Sequence, residues 1–457
     1  MSATATITST AVELQSRPPP LQHNSSNRSS DAPGWAQATA PNDPDNVVEA
    51  SRLADASVPE GGYGWVVVGA GAVLAWWFIG TSYCWGVLQS ALVDEGVSSA
   101  STLAFVGSLT VACNAFFAAF AAQVLRKLGS RSTALLGTGL LGLGYVFAGF
   151  CTHSVAGLFM TAGLITGVGI SHCYMTVSTI TAQYFSRKRG VSNGIIYAGG
   201  GLGGAVTSLA MERLIEEVGT AWTFRVIGLL TLGTCLPAAW LLKERTSIQS
   251  KKLIDWQLAK DYRFITIFLA GAIGTFPLFV PPFFLPLYSS SLGMSAGTGA
   301  GLVAGFNFAS AFGRIACGLM SDVVGPLNTL FISFMSTALS MLALWPESTA
   351  VAPLAVFVVI NGAANGGFFS TMPTVVGNVF GSARVAVAMA MIVTGWTGGY
   401  LLGAPIAGFM LNAYGGEDAG FEAYRPAIFF AGSMALAAAG LTAFVRLKIN
   451  PHLSGRL

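Results

Sequence analysis

Residues 64–89 read GWVVVGAGAVLAWWFIGTSYCWGVLQ, an apolar stretch without a charged side chain. A helix needs about 20 such residues to cross a hydrocarbon core of about 30 Å. This stretch is long enough. Similar runs follow at 101–124, 133–152, 155–182, 192–213 and 221–243, then at 263–288, 298–321, 328–346, 351–379, 385–412 and 425–446. Charged residues make up 9% of the 457 positions, and mean hydropathy is +0.64. A soluble domain carries about 25% charged residues, so little of this chain is suited to face water. The runs are continuous rather than alternating, which excludes a β-barrel and leaves helices. The expected fold is an all-α membrane protein of twelve transmembrane helices.

The first 58 residues are rich in Ser, Pro, Ala and Asn and lack the apolar core of a signal peptide. They read as a disordered tail. The six cysteines, Cys84, Cys113, Cys151, Cys173, Cys235 and Cys317, all fall inside apolar runs without ligand spacing. They read as small buried hydrophobes, not as disulfides or metal ligands. Most of the 23 Lys and Arg residues collect in the N-terminal tail and in alternate loops: Arg126, Lys127 and Arg131; Arg187, Lys188 and Arg189; and the stretch from Lys243 to Arg263. Acids such as Asp94, Glu95, Glu216, Glu217 and Glu347 lie in the other loops. The positive-inside rule then puts both termini in the cytoplasm, so the sequons at Asn24 and Asn27 should stay unglycosylated.

The chain also repeats. Gly129 aligns with Gly325 at an offset of 196 residues, and the same shift carries Ala198-Gly199 onto Thr394-Gly395. The expected organisation is a cytoplasmic tail (1–58), a six-helix half (59–243), a cytoplasmic linker (244–262), a second six-helix half (263–447) and a short tail (448–457). Two parallel halves around a midplane site resemble the major facilitator superfamily. Gly318-x-x-x-Asp322-x-x-Gly325 resembles that superfamily's signature between helices eight and nine. In this reading its glycines bring helices eight and eleven together, and Asp322 caps the next helix or holds a basic residue at an inner gate. The first-half copy around Gly129 and Arg131 carries Arg126 where the family has an acid.

Two further stretches narrow the resemblance. Glu60-Gly61-Gly62-Tyr63-Gly64-Trp65 is similar to the monocarboxylate transporter signature at the first helix. Tyr184-Phe185-Ser186-Arg187-Lys188-Arg189-Gly190, continuing to Gly199 and Gly203, is similar to that family's motif entering helix five. The long polar tail and the wording of the second half, including 361–367, resemble fungal members, which include carboxylate and riboflavin carriers and exporters of secondary metabolites. The animal lactate carriers of this family use a helix-one lysine and a helix-eight aspartate and arginine. Those positions fall here on Val87, Ser310 and Arg314, so only the arginine is retained.

Arg314 is a permanent cation eight residues before Asp322, about 12 Å deeper along the helix, where it should face a cavity or a partner. It is the first candidate for substrate binding. Asn307, two turns earlier, is the second. Tyr83 and Trp396 are further candidates, with Trp85, Phe276, Phe279 and Tyr400 suiting a planar ligand if they line the cavity. His172 is a candidate proton relay. Pro277, Pro281, Pro282 and Pro286 should make the outer half of the seventh span irregular.

Gly199-x-Gly201-x-x-Gly204 and Gly137-x-Gly139-x-x-Gly142 match a nucleotide fingerprint but follow no strand, so they read as helix-packing faces. Gly190-x-Ser192-x-Gly194 and Gly293-x-Ser295-x-Gly297 lack the strand of a nucleophile elbow. No Walker lysine motif or HExxH occurs. No enzyme activity, catalytic residue, metal, cofactor, nucleotide or nucleic acid is expected. The expected function is a secondary transporter, monomeric as a functional unit, in the plasma membrane. It would move a small organic anion or amphipathic metabolite, with proton coupling open and export of a secondary metabolite favoured. Uptake of a monocarboxylate or a riboflavin-like vitamin is the alternative. A transporter-fold nutrient sensor is the alternative of another class, disfavoured by the short linker and C-terminal tail, and an intramembrane enzyme lacks paired acids or a His cluster within the spans.

Overall fold

The computed structural model describes residues 58, 60–98, 100–245, 255–381, 384–416 and 419–449, all within the unit Val47–Leu457. The tail with its sequons, most of the linker and the C-terminal tail lie outside the described residues. Among those described, every regular element is a helix. The first spans are α1 (Tyr63–Phe78) running on into α2 (Gly80–Asp94), then α3 (Ala100–Phe116) and α4 (Ala118–Ala148). Next, α5 (Val155–Leu158) passes through a π segment into α6 (Thr166–Ile180), followed by α7 (Arg189–Leu241). The remainder comprises α8 (Tyr262–Gly274), α9 (Val280–Ser291), α10 (Ala296–Val324), α11 (Pro326–Leu339), α12 (Val351–Phe380), α13 (Val385–Gly395), α14 (Thr397–Ala413) and α15 (Arg425–Ile449).

Among the described residues eight helical stretches are long and apolar enough to cross a membrane, or nine if the pair bent by 51° between α3 and α4 counts as one. That is fewer than twelve, and the reason is local. The loops expected near 214–220 and 125–132 are helical almost to their ends. Their residues, Leu214 to Val218 and Leu125 to Leu128, include good helix formers and no proline. The helix stops only at a glycine. Gly219 (φ 78°, ψ 170°) breaks the 53 residues of α7, and Gly129 (φ 79°, ψ 168°) breaks α4. Few residues other than glycine accept this left-handed φ. An unbroken α7 would be about 80 Å long, far beyond one bilayer crossing.

The seventh apolar run breaks where its prolines begin, with Pro277 inside the turn. The turn falls at 275–279, whereas Pro281 and Pro282 lie in the first turn of α9, where a missing N–H leaves no helix bond unmade. Asp261 caps α8 by accepting from Arg263 N, and Ser295 caps α10 by accepting from Thr298 N. All six cysteines are free; four are buried, while Cys151 and Cys317 are half-buried.

Close helix contacts run through glycine. Gly199 abuts Ala72 of α1, and Gly203 abuts Trp76, so one face of α7 packs on the first span. Gly201 meets Ala311 of α10. The nucleotide-like spacing in α7 is thus a packing surface used on two sides. The signature glycines of α10 correct the expected pairing with helix eleven. Gly318 packs on Gly190 and Gly194 of α7, and Gly313 packs on Ala363 of α12. Backbone meets backbone there, leaving no room for a side chain between them.

Candidate functional site: an aromatic cavity with a buried arginine above a sealed end

A cavity of about 30 Å³ lies among α1, α2, α3, α6, the turn before α9, α12 and α14. Phe78, Tyr83, Tyr174, Phe279, Phe369 and Tyr400 supply its rings, with Ser82 and Asn114 among its polar members. It has room for a water or two and is far below the roughly 300 Å³ of a typical ligand pocket. A metabolite therefore requires this region to widen. The rings form a connected set: Tyr83–Phe279 at 5.5 Å, Phe279–Tyr400 at 5.6 Å and Tyr400–Trp396 at 6.1 Å between centroids.

Arg314 is fully buried beside this set. Its Nη1 donates to the carbonyl oxygen of Tyr197 at 2.6 Å, and its Cζ lies 5.2 Å from the Phe369 ring and 5.9 Å from the Tyr83 ring. Its Nε and Nη2 have no hydrogen-bond partner, and no carboxylate pairs with it, among the described residues. Ser310, one turn earlier, is buried with its Oγ unpartnered. Tyr83 OH donates to Asn365 Oδ1 at 3.3 Å, while Asn365 Nδ2 donates to Leu278 O at 2.8 Å. This amide thereby ties α12 to the first span and to the turn before α9.

The other sequence candidates divide. Tyr83, Phe279 and Tyr400 line the cavity. Asn307 is buried near Gly204 and Tyr83, a neighbour of the site. Trp396 stands one layer back, against Tyr174, Phe368 and Tyr400. Trp85 donates to Leu103 O at 3.0 Å, and Phe276 packs on Phe430. His172 is away from the cavity lining: its Nδ1 contacts Val168 O at 2.8 Å and its ring packs on Phe120. Sequence reasoning missed Asn114, Tyr174, Phe369 and Asn365. Among the described residues no group of three His, Cys, Asp or Glu could hold a metal.

Below the cavity one end of the bundle is sealed, and here the two signature motifs meet. Glu60 Oε1 accepts from Ser186 N and Arg187 N, both at 2.7 Å, and Oε2 accepts from Lys188 N at 3.2 Å. Beyond Arg189, Asp322 takes two more amides: Oδ1 accepts from Gly190 N at 2.7 Å and Oδ2 from Val191 N at 2.8 Å. The helix that Asp322 caps is therefore α7, across the bundle, rather than α11, which follows it. The reason is positional. Pro326 opens α11 and lacks the first N–H, while the open amides of α7 face Asp322. Arg189 Nη1 donates to Asn378 Oδ1 at 2.9 Å and Asn193 Nδ2 to Thr374 Oγ1 at 3.0 Å, tying α7 to α12. Next to this cluster Tyr184 OH donates to Lys243 O at 2.7 Å, and burial together with the neighbouring Tyr63 hydroxyl pushes its phenol up, so it stays a neutral donor. Around Gly129, Glu244 Oε1 accepts from Ser130 N at 2.6 Å, while Arg131 stacks over Trp240 at 4.8 Å.

A helical membrane bundle with a ring-lined cavity above a sealed end has the architecture of a solute carrier, and known proteins agree. The chain matches the Major Facilitator Superfamily over residues 65–350 and 267–456, and it belongs to that family. It is 30% identical to the aspyridones efflux protein apdF of Emericella nidulans over 78% of this chain and 74% of that one. It is 28% identical to human monocarboxylate transporter 2, covering 78% and 81% of the two chains. The human organic anion transporter MFSD10 shares the fold, with a TM-score of 0.64 at 15% identity, over 82% of this chain and 97% of that one. The protein is thus a multi-pass membrane transporter of small organic molecules, of the fungal, monocarboxylate transporter-like type, and not an enzyme.

Proposed function

We propose that this protein exports a planar organic acid, a fungal secondary metabolite, by alternating access, with Arg314 as the anchor for its acidic group. The observation that carries the reading is Arg314 itself: fully buried, with two sets of donors unpartnered, among aromatic rings. A lone guanidinium at depth is costly to insert, by roughly 2.5–3.5 kcal/mol, and its planar fork matches a carboxylate or enolate. The efflux function named for the Emericella relative supports export over uptake. Val87 and Ser310 in place of the lactate carriers' charged pair favour a driving arrangement other than theirs.

The proposed architecture is twelve spans in two six-helix halves, both termini cytoplasmic, in the plasma membrane, with a monomer as the working unit. Division of α4 at Gly129 and of α7 at Gly219, with α8 and α9 joined across the turn at 275–279 as the seventh span, supports that count. The repeat draws support from paired backbone breaks: Gly129 and Gly325 both have positive φ, as do Gly219 and Gly415, each pair 196 residues apart. Asp322 is then the inner gate, closed here, and Glu60, Arg189 and Asn378 form its surround.

Binding of cinnamate, a planar carboxylate, to purified protein tests the anchor. Arg314→Lys keeps the charge but loses the two-point fork and should weaken binding about tenfold to a hundredfold, the scale of one charge-assisted hydrogen bond. Arg314→Gln should weaken it further. Unchanged affinity in both would make Arg314 structural and remove the case for an acidic substrate.

A further inference from the structure

Two polar groups at the cavity take no part in the anchor, and both belong to the first half of the chain. Asn114, on α3, is 8% exposed and lines the cavity, and its Oδ1 has no hydrogen-bond partner. Tyr174, on α6, is 3% exposed and lines the same cavity. Its hydroxyl lies beside the Ser178–Tyr197 pair, which is closed at 2.6 Å, and interacts with both members without a bond as close as theirs. Of the other rings lining the cavity, Phe78, Phe279 and Phe369 carry no hydrogen-bonding group, and the Tyr83 hydroxyl donates to Asn365.

We infer that Asn114 and Tyr174 form a second, neutral pole of the cavity that selects ligands bearing a hydroxyl or N–H at the end away from the acidic group. This rests on the proposed anionic substrate and names its class more closely: a conjugated hydroxy acid, or its N–H counterpart, rather than a simple monocarboxylate. An amide oxygen only accepts, so it requires a donor from the ligand. A phenol both donates and accepts, so the pair together complements a hydroxyl, which does the same. A buried acceptor left without a donor is penalised, whereas an apolar wall is indifferent, so a site of this kind discriminates against a ligand lacking the group. The cavity is too small in this closed form to hold such a molecule, so the two poles face the ligand together once the bundle opens.

The test compares two probes that differ by one hydroxyl, cinnamate and 4-hydroxycinnamate, and repeats the comparison with biphenyl-4-carboxylate and its 4′-hydroxy derivative to cover a longer span. Affinities are measured by calorimetry on the purified full-length chain, with thermal unfolding as the check that each variant is folded. In the wild type the hydroxylated member of at least one pair should bind about tenfold tighter, the scale of a satisfied buried hydrogen bond. In Asn114→Leu that ratio should fall to within about twofold, and Tyr174→Phe, which removes only the hydroxyl, should reduce it in the same direction. Arg314→Gln should weaken both members of a pair alike. Equal binding of both members by the wild type, or a preference that survives in Asn114→Leu and Tyr174→Phe, overturns the second pole and leaves the anchor standing. An intact preference with no effect of Arg314→Gln overturns the anchor and keeps the pole. No binding of any probe overturns both.

Discussion

Neutralising Asp322 should unlock the sealed end. In Asp322→Asn the side chain keeps its shape but loses its charge and one of its two acceptor oxygens. The carboxylate accepts from Gly190 N and Val191 N at 2.7 and 2.8 Å, at the positive end of α7. A hydrogen bond to a charged group is worth about 1.5–3 kcal/mol and a neutral one about 1 kcal/mol. One bond is lost and the other becomes neutral, while water reaches this half-exposed residue and screens the difference. A net bias of about 1–2 kcal/mol remains, a shift of roughly 5- to 30-fold in the balance between closed and open forms. The assay uses Thr374→Cys on α12, a buried position facing Asn193 across the seal, in a chain whose native cysteines are replaced. Its alkylation by a membrane-impermeant maleimide applied from that side should speed up by the same factor when Asp322→Asn is added. An unchanged or slower rate refutes the clamp. So would a loss of substrate affinity with normal turnover, because the residue is at a helix end outside the cavity.

A methyl group at Gly190 would collide with the carbonyl oxygen of Gly318, so Gly190→Ala should hold the same end open and lower the unfolding midpoint, by roughly 1–3 kcal/mol of overpacking; maleimide access and a melt read both. Cysteines placed at Ala91 and at Gln249 should label from outside and inside the cell respectively, and the reverse pattern would invert the proposed topology. His172→Gln should leave the pH dependence of transport as it is in the wild type, since that ring packs on Phe120 away from the cavity lining; a changed pH profile in proteoliposomes would return it to the proton path.

Much of this molecule could be read from its sequence because the bilayer permits few solutions. A run such as 64–89 has no stable alternative to a helix in lipid. Helix ends were less legible, since Arg213 to Val218 carry charges that mark a loop by hydropathy yet are helix formers by propensity. Propensity prevailed until Gly219. Arg314 stood out as a charge in an apolar run. Asn114 did not, because an asparagine in such a run more often bonds a neighbouring helix, and only the cavity shows that its oxygen has no such bond. Glu60 and Arg187–Arg189 were each visible as motifs. That one caps the other required the fold, because 126 residues separate Glu60 from Ser186.

Five of the six amides from Ser186 to Val191, all but that of Arg189, are held by two carboxylates from distant parts of the chain. The two bonds differ in kind under the proposed two-half architecture. Glu60 and the 186–188 segment belong to the same half, so their contact persists when the halves rock. Asp322 belongs to the other half, so its contact must break in every cycle. Glu60 thereby presents the start of α7 in a fixed shape, and Asp322 engages or leaves it. This division accounts for Glu60 tolerating a positive φ of 54°, which is unusual for a residue other than glycine: a strained backbone can persist where three hydrogen bonds over-determine it. It also explains why glycine occurs at both 190 and 318. The released contact must close again without side chains in the way, and backbone against backbone is the arrangement that can separate and re-form without repacking a core.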